Sequence, residues 1–282
     1  MVKRKYDDCF MKPEIKQAGD YQIFKMTGKD QRGFDWQVRL SPVSEKTYPA
    51  DIPTTADCDR VELYAGGEPA KIEKISGEME VSLGKEKEKH NIDKASIVYI
   101  PKGLPIERRI VKSPEQLPWV MTFDLTPKRD DAPEKGWINN TAGRKYEHLI
   151  TDELLTPAFF QMNSAFLTGK SHFWKLVPGP TAQFAFYYVM KTGMFMEPPH
   201  THKNDEWLMF ISSDPKDMKN LGATMEVAMG DDWEKYTFNY STFVHFPKGV
   251  PHGPFFVRNM QRPFILGHFW AGGEAPHFDN IT

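Results

Sequence analysis

Two stretches of the chain decide how the rest is read. MEVSLGKEKEKHNIDKASIVYIPKGLPIERRIV runs from Met79 to Val111, and MEVAMGDDWEKYTFNYSTFVHFPKGVPHGPFFV runs from Met225 to Val257. They align without a gap at a constant offset of 146, with 12 of 33 positions identical. The shared positions include Gly84/Gly230, Pro105/Pro251 and the Pro-Lys-Gly triplets starting at Pro101 and Pro247. Self-similarity at this level marks two copies of one structural unit. The 282 residues therefore divide into two units rather than one large domain. Further upstream, pairing Glu62 with Glu206 requires a two-residue insertion in the second copy, placed in the turn-rich run Ser212–Asp217.

Outward from the repeat the pattern is β. Short runs rich in Val, Ile, Phe, Tyr and Thr alternate with Gly, Pro and Asp: Gln183–Thr192, Glu206–Ile211, Met225–Met229, Thr242–Phe246, Gly253–Val257 and Phe264–Trp270. Many short strands per copy predict a sandwich or barrel. Asp152–Phe166 is the best helix candidate, interrupted at Pro157. Thr126–Arg144, rich in charge, Pro and Gly, reads as a linker. The expected organisation is an N-terminal extension (1–20), a first barrel (21–125), a linker with a short helix (126–158) and a second barrel (159–282).

Composition narrows the function classes. Lys plus Arg is 36 and Asp plus Glu is 38, a net charge of -2 without the basic excess that nucleic-acid binding needs. No apolar run approaches the roughly 20 residues that span a bilayer. The first residues lack the apolar core of a secretory signal, and Cys9 and Cys58 do not form a disulfide framework. The expectation is a cytoplasmic protein acting on a small molecule, with no nucleic-acid or membrane partner.

The second copy carries His200-Thr201-His202, then Glu206, then His252 after Pro247-Lys248-Gly249-Val250-Pro251. Residues i and i+2 of a strand face the same way, so His200 and His202 project together, and Glu206 shares their parity. Three imidazoles and a carboxylate suit one divalent first-row metal. By the same parity, Met194, Met196, Leu208, Phe210 and Phe256 would line an apolar pocket, with Arg258 and Trp270 beside it. His268 and His245 are candidates for an acid/base role near the metal, and His277 is a weaker one.

These residues resemble the cupin superfamily. His200, His202 and Glu206 match its first motif, and Pro247, Gly249 and His252 match its second. The resemblance implies an all-β chain of two tandem cupin (double-stranded β-helix, jelly-roll) barrels, a bicupin. It implies one Fe, Mn, Zn or Ni ion in the second barrel and a homodimer. In the first copy the Glu62 anchor puts Ala56 and Cys58 opposite His200 and His202, and Ile106 opposite His252, so only Glu62 of the four ligands remains. Similar bicupins include ring-cleaving dioxygenases and oxalate-type decarboxylases. The Met- and Phe-rich lining favours a phenolic substrate and a ring-cleaving dioxygenase. Other metal-dependent decarboxylase, isomerase or hydrolase chemistry stays open, as does a non-catalytic binding or storage role.

Overall fold

The computed structural model describes residues 3–29, 35–44, 54–55, 57–112, 114–126, 144–152, 154, 164–168, 182–195, 198–203, 205–271 and 279–280. It is nearly all β, in antiparallel sheets, with only 3-10 turns as helical elements among the described residues. Two compact units form. One gathers Met1–Glu14, Thr156–Thr168 and Pro180–Thr282; the other gathers Ile15–Leu155 and Gly169–Gly179.

In the second-copy unit, one sheet orders Phe10–Met11, Thr242–Phe246, Glu206–Ser212, Phe264–Ala271, Ala182–Val189 and Ser164–Thr168. The other orders Glu234–Tyr240, Asn220–Met229, His252–Arg258, His200–Thr201 and Asp279–Asn280, and Gly193–Phe195 also pairs with His252–Arg258. Leu208, Phe210, Val227, Val244, Phe255, Val257 and Leu266 close a buried apolar core. Burial of such side chains, at about 1.5–3 kcal/mol each, is the main source of stability here. The end of the helix predicted over Asp152–Phe166 falls in the strand Ser164–Thr168, because Ser164–Phe166 pair with Tyr187–Val189. Most of the remainder of that segment, and of the Thr126–Arg144 linker, lies outside the described residues.

The strand registers correct the upstream alignment. Glu206 pairs with Phe246 and Trp270, whereas Arg60 pairs with Ile100 and Asp124. Each of these first-copy positions is its counterpart minus 146, so the offset continues without an insertion. Glu206 corresponds to Arg60, and Glu62 corresponds to Leu208. Ile106 N–H donates to Thr54 O at 2.8 Å and Thr55 bridges Pro105, where His200 pairs with His252 in the second copy. His200 and His202 therefore correspond to Thr54 and Ala56, and no metal-ligand position keeps its residue in the first copy. The two glutamates were misleading because they lie two apart in register on the same face.

Each unit also holds a strap from outside its own copy's run of strands. Arg4-Lys5-Tyr6 leads into Phe10–Met11, which pairs with Thr242–Phe246. Arg144-Lys145-Tyr146 leads into Ile150–Thr151, which pairs with Ser96–Ile100. The contacts repeat in detail. Arg4 Nη1 donates to Lys235 O at 2.8 Å, and Arg144 Nη1 to Lys89 O at 2.6 Å. Gly230 (φ +78°) and Gly84 (φ +74°) leave room for the rings: a Cβ would sit 2.5 Å from Tyr6 and 2.3 Å from Tyr146. Two needs, a left-handed turn and a ring seat, thus account for the shared glycine.

Candidate metal centre

The donors come from both sheets of the second-copy unit. His200 and His252 face each other across a strand pair, and Glu206 opens the neighbouring sheet's strand Glu206–Ser212. The Pro-Lys-Gly turn delivers His252. Asp205 fastens it by accepting the Lys248 N–H at 2.9 Å, and Gly249 N–H donates to His202 O at 2.9 Å. His200, His202, Glu206 and His252 are all buried, with one donor atom each lying within 4.8 Å of all the others.

Their protonation can be read from their neighbours. His200 Nδ1 lies 2.7 Å from Pro198 O, and His252 Nδ1 lies 2.9 Å from Val250 O. A carbonyl only accepts, so Nδ1 carries a proton in both rings, and Nε2 is the atom turned toward the other donors. Burial, reinforced by His252, pushes His200 down to about 4, so the ring is neutral near pH 7. Burial alone would raise the Glu206 carboxyl. The surrounding histidines, His268 and His202 foremost, outweigh it and hold the group well below the usual carboxylate range.

His252 Nε2 lies 2.9 Å from Glu206 Oε2, yet neither atom has a hydrogen-bond partner of acceptable geometry. Two such atoms that close call for a proton or a cation between them. His202 Nε2 lies 3.3 Å from the same Oε2, and His200 Nε2 lies 3.0 Å from His202 Nε2. One proton does not satisfy four converging atoms. Donors about 2.0–2.1 Å from a common ion and at right angles around it would stand about 3 Å apart. The donor set and its spacing fit a single divalent metal.

The other predicted residues divide. Leu208 and Phe210 share the face of Glu206 and are fully buried. Phe256 and Arg258 do not join them. The pairing of Asn220–Met229 with His252–Arg258 shifts register between Met229↔His252 and Val227↔Phe255. That extra residue reverses the parity, so Phe255 and Val257 enter the core. Phe256 faces outward under the Arg258 guanidinium, 4.5 Å from its ring centre, and Arg258 reaches toward Glu226. Met194 pairs with Phe256 and is 56% exposed. Met196 and His277 lie outside the described residues, and of Trp270 only the backbone pairing opposite Glu206 is described.

The two candidate histidines also separate. His245 pairs with Trp207, on the face opposite Glu206, and its ring stacks on the indole at 3.9 Å. Its Nε2 lies 3.5 Å from Asp205. The first copy has Tyr99 hydrogen-bonded to Asp59, and Asp59 accepts the Lys102 N–H at 2.8 Å. This arrangement fixes the turn in both units and is scaffold. His268, by contrast, pairs with Leu208, and its Nε2 lies 2.5 Å from Glu206 Oε1. Tyr187, which the sequence reading passed over, places its hydroxyl 3.4 Å from His268 Nδ1.

The first copy fills the matched interior with ion pairs. Arg60 donates to both oxygens of Asp124, at 2.5 and 3.1 Å. Arg108 pairs with Glu62, which also accepts from Tyr64 Oη at 2.5 Å. A guanidinium thus stands where the second copy has the Glu206 carboxylate.

No protein-family model and no curated protein matches the chain. Solved structures do match. The Momordica charantia 7S globulin superposes with a TM-score of 0.57 at 11% identity, covering 98% of this chain and 86% of that one. The vicilin from Corylus avellana gives 0.52 at 10% identity, covering 98% and 87%. A formate complex of the Lactobacillus farciminis oxalate decarboxylase gives 0.51 at 10% identity, covering 94% and 86%. These likenesses establish the fold, a cupin-like all-β architecture. No helix among the described residues is long and apolar enough to cross a membrane.

Proposed function

We propose that the chain is a metal-dependent bicupin with one divalent transition ion in its second-copy unit. Its lead activity is a ring-cleaving, dioxygenase-like oxidation of a small phenolic substrate with O2. The carrying observation is the buried convergence of His200, His202, Glu206 and His252, with one donor atom from each within 4.8 Å of all the others. Four protein donors leave two positions on a six-coordinate ion for substrate oxygens.

The residues divide the work. His200, His202 and His252 are the nitrogen donors, with backbone carbonyls beside His200 and His252 holding those two rings. Glu206 supplies the negative charge. Leu208, Phe210 and Phe255 belong to the buried apolar core of the same unit. His268 sets Nε2 against Glu206 Oε1, 2.5 Å away. A bound first-row ion would polarise and orient a substrate oxygen, and a redox-active one would add one-electron chemistry with O2.

The outward position of Arg258 favours a phenolic over a small dicarboxylate, since it takes away the sequence's candidate for holding a second carboxylate. We also infer a small-molecule partner and a homodimer, the latter on analogy alone. The test is metal analysis of the purified protein, followed by O2 uptake by the Fe2+-loaded protein across catechols, hydroquinones and hydroxybenzoates. About one ion per chain with uptake on at least one substrate is expected. No uptake on any sinks the oxygenase reading, and CO2 release from a carboxylate without uptake replaces it with a decarboxylase.

A further inference from the structure

The two units act as an internal control. Both keep the aspartate that fastens the Pro-Lys-Gly turn, the strap arginine and the glycine under the strap tyrosine. Such features serve the fold. Residues that differ at matched positions around the metal centre are the ones the site requires. His252 stands against Ile106 and Glu206 against Arg60. Two more substitutions concern residues that are not ligands: His268 replaces Thr122, and Tyr187 replaces Ser41.

His268 and Glu206 are each 1% exposed and Tyr187 is 4% exposed. The two oxygens of Glu206 have different neighbours: Oε2 faces His202 and His252, whereas Oε1 faces His268 Nε2 at 2.5 Å. One arrangement of the ring serves both neighbours: with the proton on Nε2, which lies against Oε1, Nδ1 is the acceptor for the Tyr187 hydroxyl, 3.4 Å away. In that arrangement the donors run one way, from Tyr187 through His268 toward Glu206.

We propose that the Tyr187–His268 pair is a positioning clamp that holds Glu206 to one-oxygen ligation. With Oε1 engaged, the carboxylate does not swing both oxygens onto the ion, and the neighbouring position stays open for an exogenous ligand. This rests on the metal reading above. Partners of a ligating carboxylate typically change metal affinity by 10–100-fold when removed.

Co2+ titration monitored by visible absorption tests the clamp, with azide as the exogenous probe. Wild-type protein is expected to bind one Co2+ and to shift its spectrum with azide. His268→Ala should still bind one Co2+, but about 10–100-fold more weakly, with an altered spectrum and a blunted azide response. Tyr187→Phe, which keeps the ring in the core, should shift both readouts in the same direction by less. His268→Gln, which keeps a donor near Oε1, should recover part of the loss, which a purely space-filling role would not produce. The clamp is refuted if His268→Ala matches wild type in affinity, spectrum and azide response. It is also refuted if His268→Gln behaves no better than His268→Ala. If wild-type protein binds no Co2+, the metal reading fails and the clamp fails with it, a result distinct from equal binding by wild type and variants.

Discussion

Replacing Phe10 with Ala should loosen a unit whose other strands come from the far half of the chain. Phe10 stacks on Tyr236 with ring centres 4.7 Å apart and tilts against Phe238 at 5.8 Å. Two aromatic pairs contribute about 0.5–1.5 kcal/mol each beyond area burial. Phe10 is only half-buried, so the truncation should cost about 2–4 kcal/mol in total. Hydrogen exchange read peptide by peptide is the decisive assay, because it reports local opening. Protection should fall in Asn220–Met229, Glu234–Tyr240 and Thr242–Phe246. Lys74–Leu83, Glu88–Lys94 and Ser96–Ile100 should be unaffected. Ile150→Ala should give the mirror image, since Ile150 pairs with Val98 as Phe10 does with Val244. If Phe10→Ala left the second-copy peptides protected, or exposed the first-copy peptides, the strap assignment would be refuted.

His252→Ala should abolish stoichiometric metal binding while the far-ultraviolet circular dichroism keeps its β signature, because the apolar core does not include the ligands; loss of the β signal would refute this. Leu208→Ala should cost about 2–5 kcal/mol in chemical denaturation and leave one ion bound. Arg60→Ala should destabilise the first-copy unit by about 2–4 kcal/mol, since the buried Asp124 carboxylate would keep only Gln37 at 3.0 Å and Arg39 at 3.9 Å. His200 is pushed from 6.5 down to about 4, so below 6.5 the unfolded chain binds the extra proton. Metal-free protein should therefore lose stability as pH falls from 6.5 towards 4, at up to about 1.4 kcal/mol per pH unit, and His200→Gln should flatten that slope in denaturant titrations.

How far the sequence could be read depended on whether a feature was local. The β character, the duplication and the four clustered donors were legible because strand parity and motif spacing act over a few residues. Parity failed at Phe256 and Arg258, since a bulge is set by the partner strand and not by the strand's own alternation. The pairing of Glu62 with Glu206 failed because like residues were matched, whereas backbone register put Arg60 there. The straps were missed although Arg4-Lys5-Tyr6 and Arg144-Lys145-Tyr146 are a visible repeat. Their offset is 140 rather than 146, so they fall outside the frame that exposed the rest. Tyr187 had no local signal, for a tyrosine in an apolar strand reads as core until His268 is placed beside it.

The exchange of straps makes the halves mutually incomplete. A cut between residues 126 and 144 would leave the first fragment carrying Phe10–Met11, the edge strand of the other unit, and the second fragment carrying Ile150–Thr151. Neither piece alone has its full sheet, yet together they hold everything both sheets need. The protein is thus pre-divided for fragment complementation: two polypeptides, each insoluble or partly folded alone, should restore the metal centre only when mixed. The same exchange ties the two copies' inheritance together, because a mutation in Phe10–Met11 should be felt in the unit that holds His200, His202, Glu206 and His252.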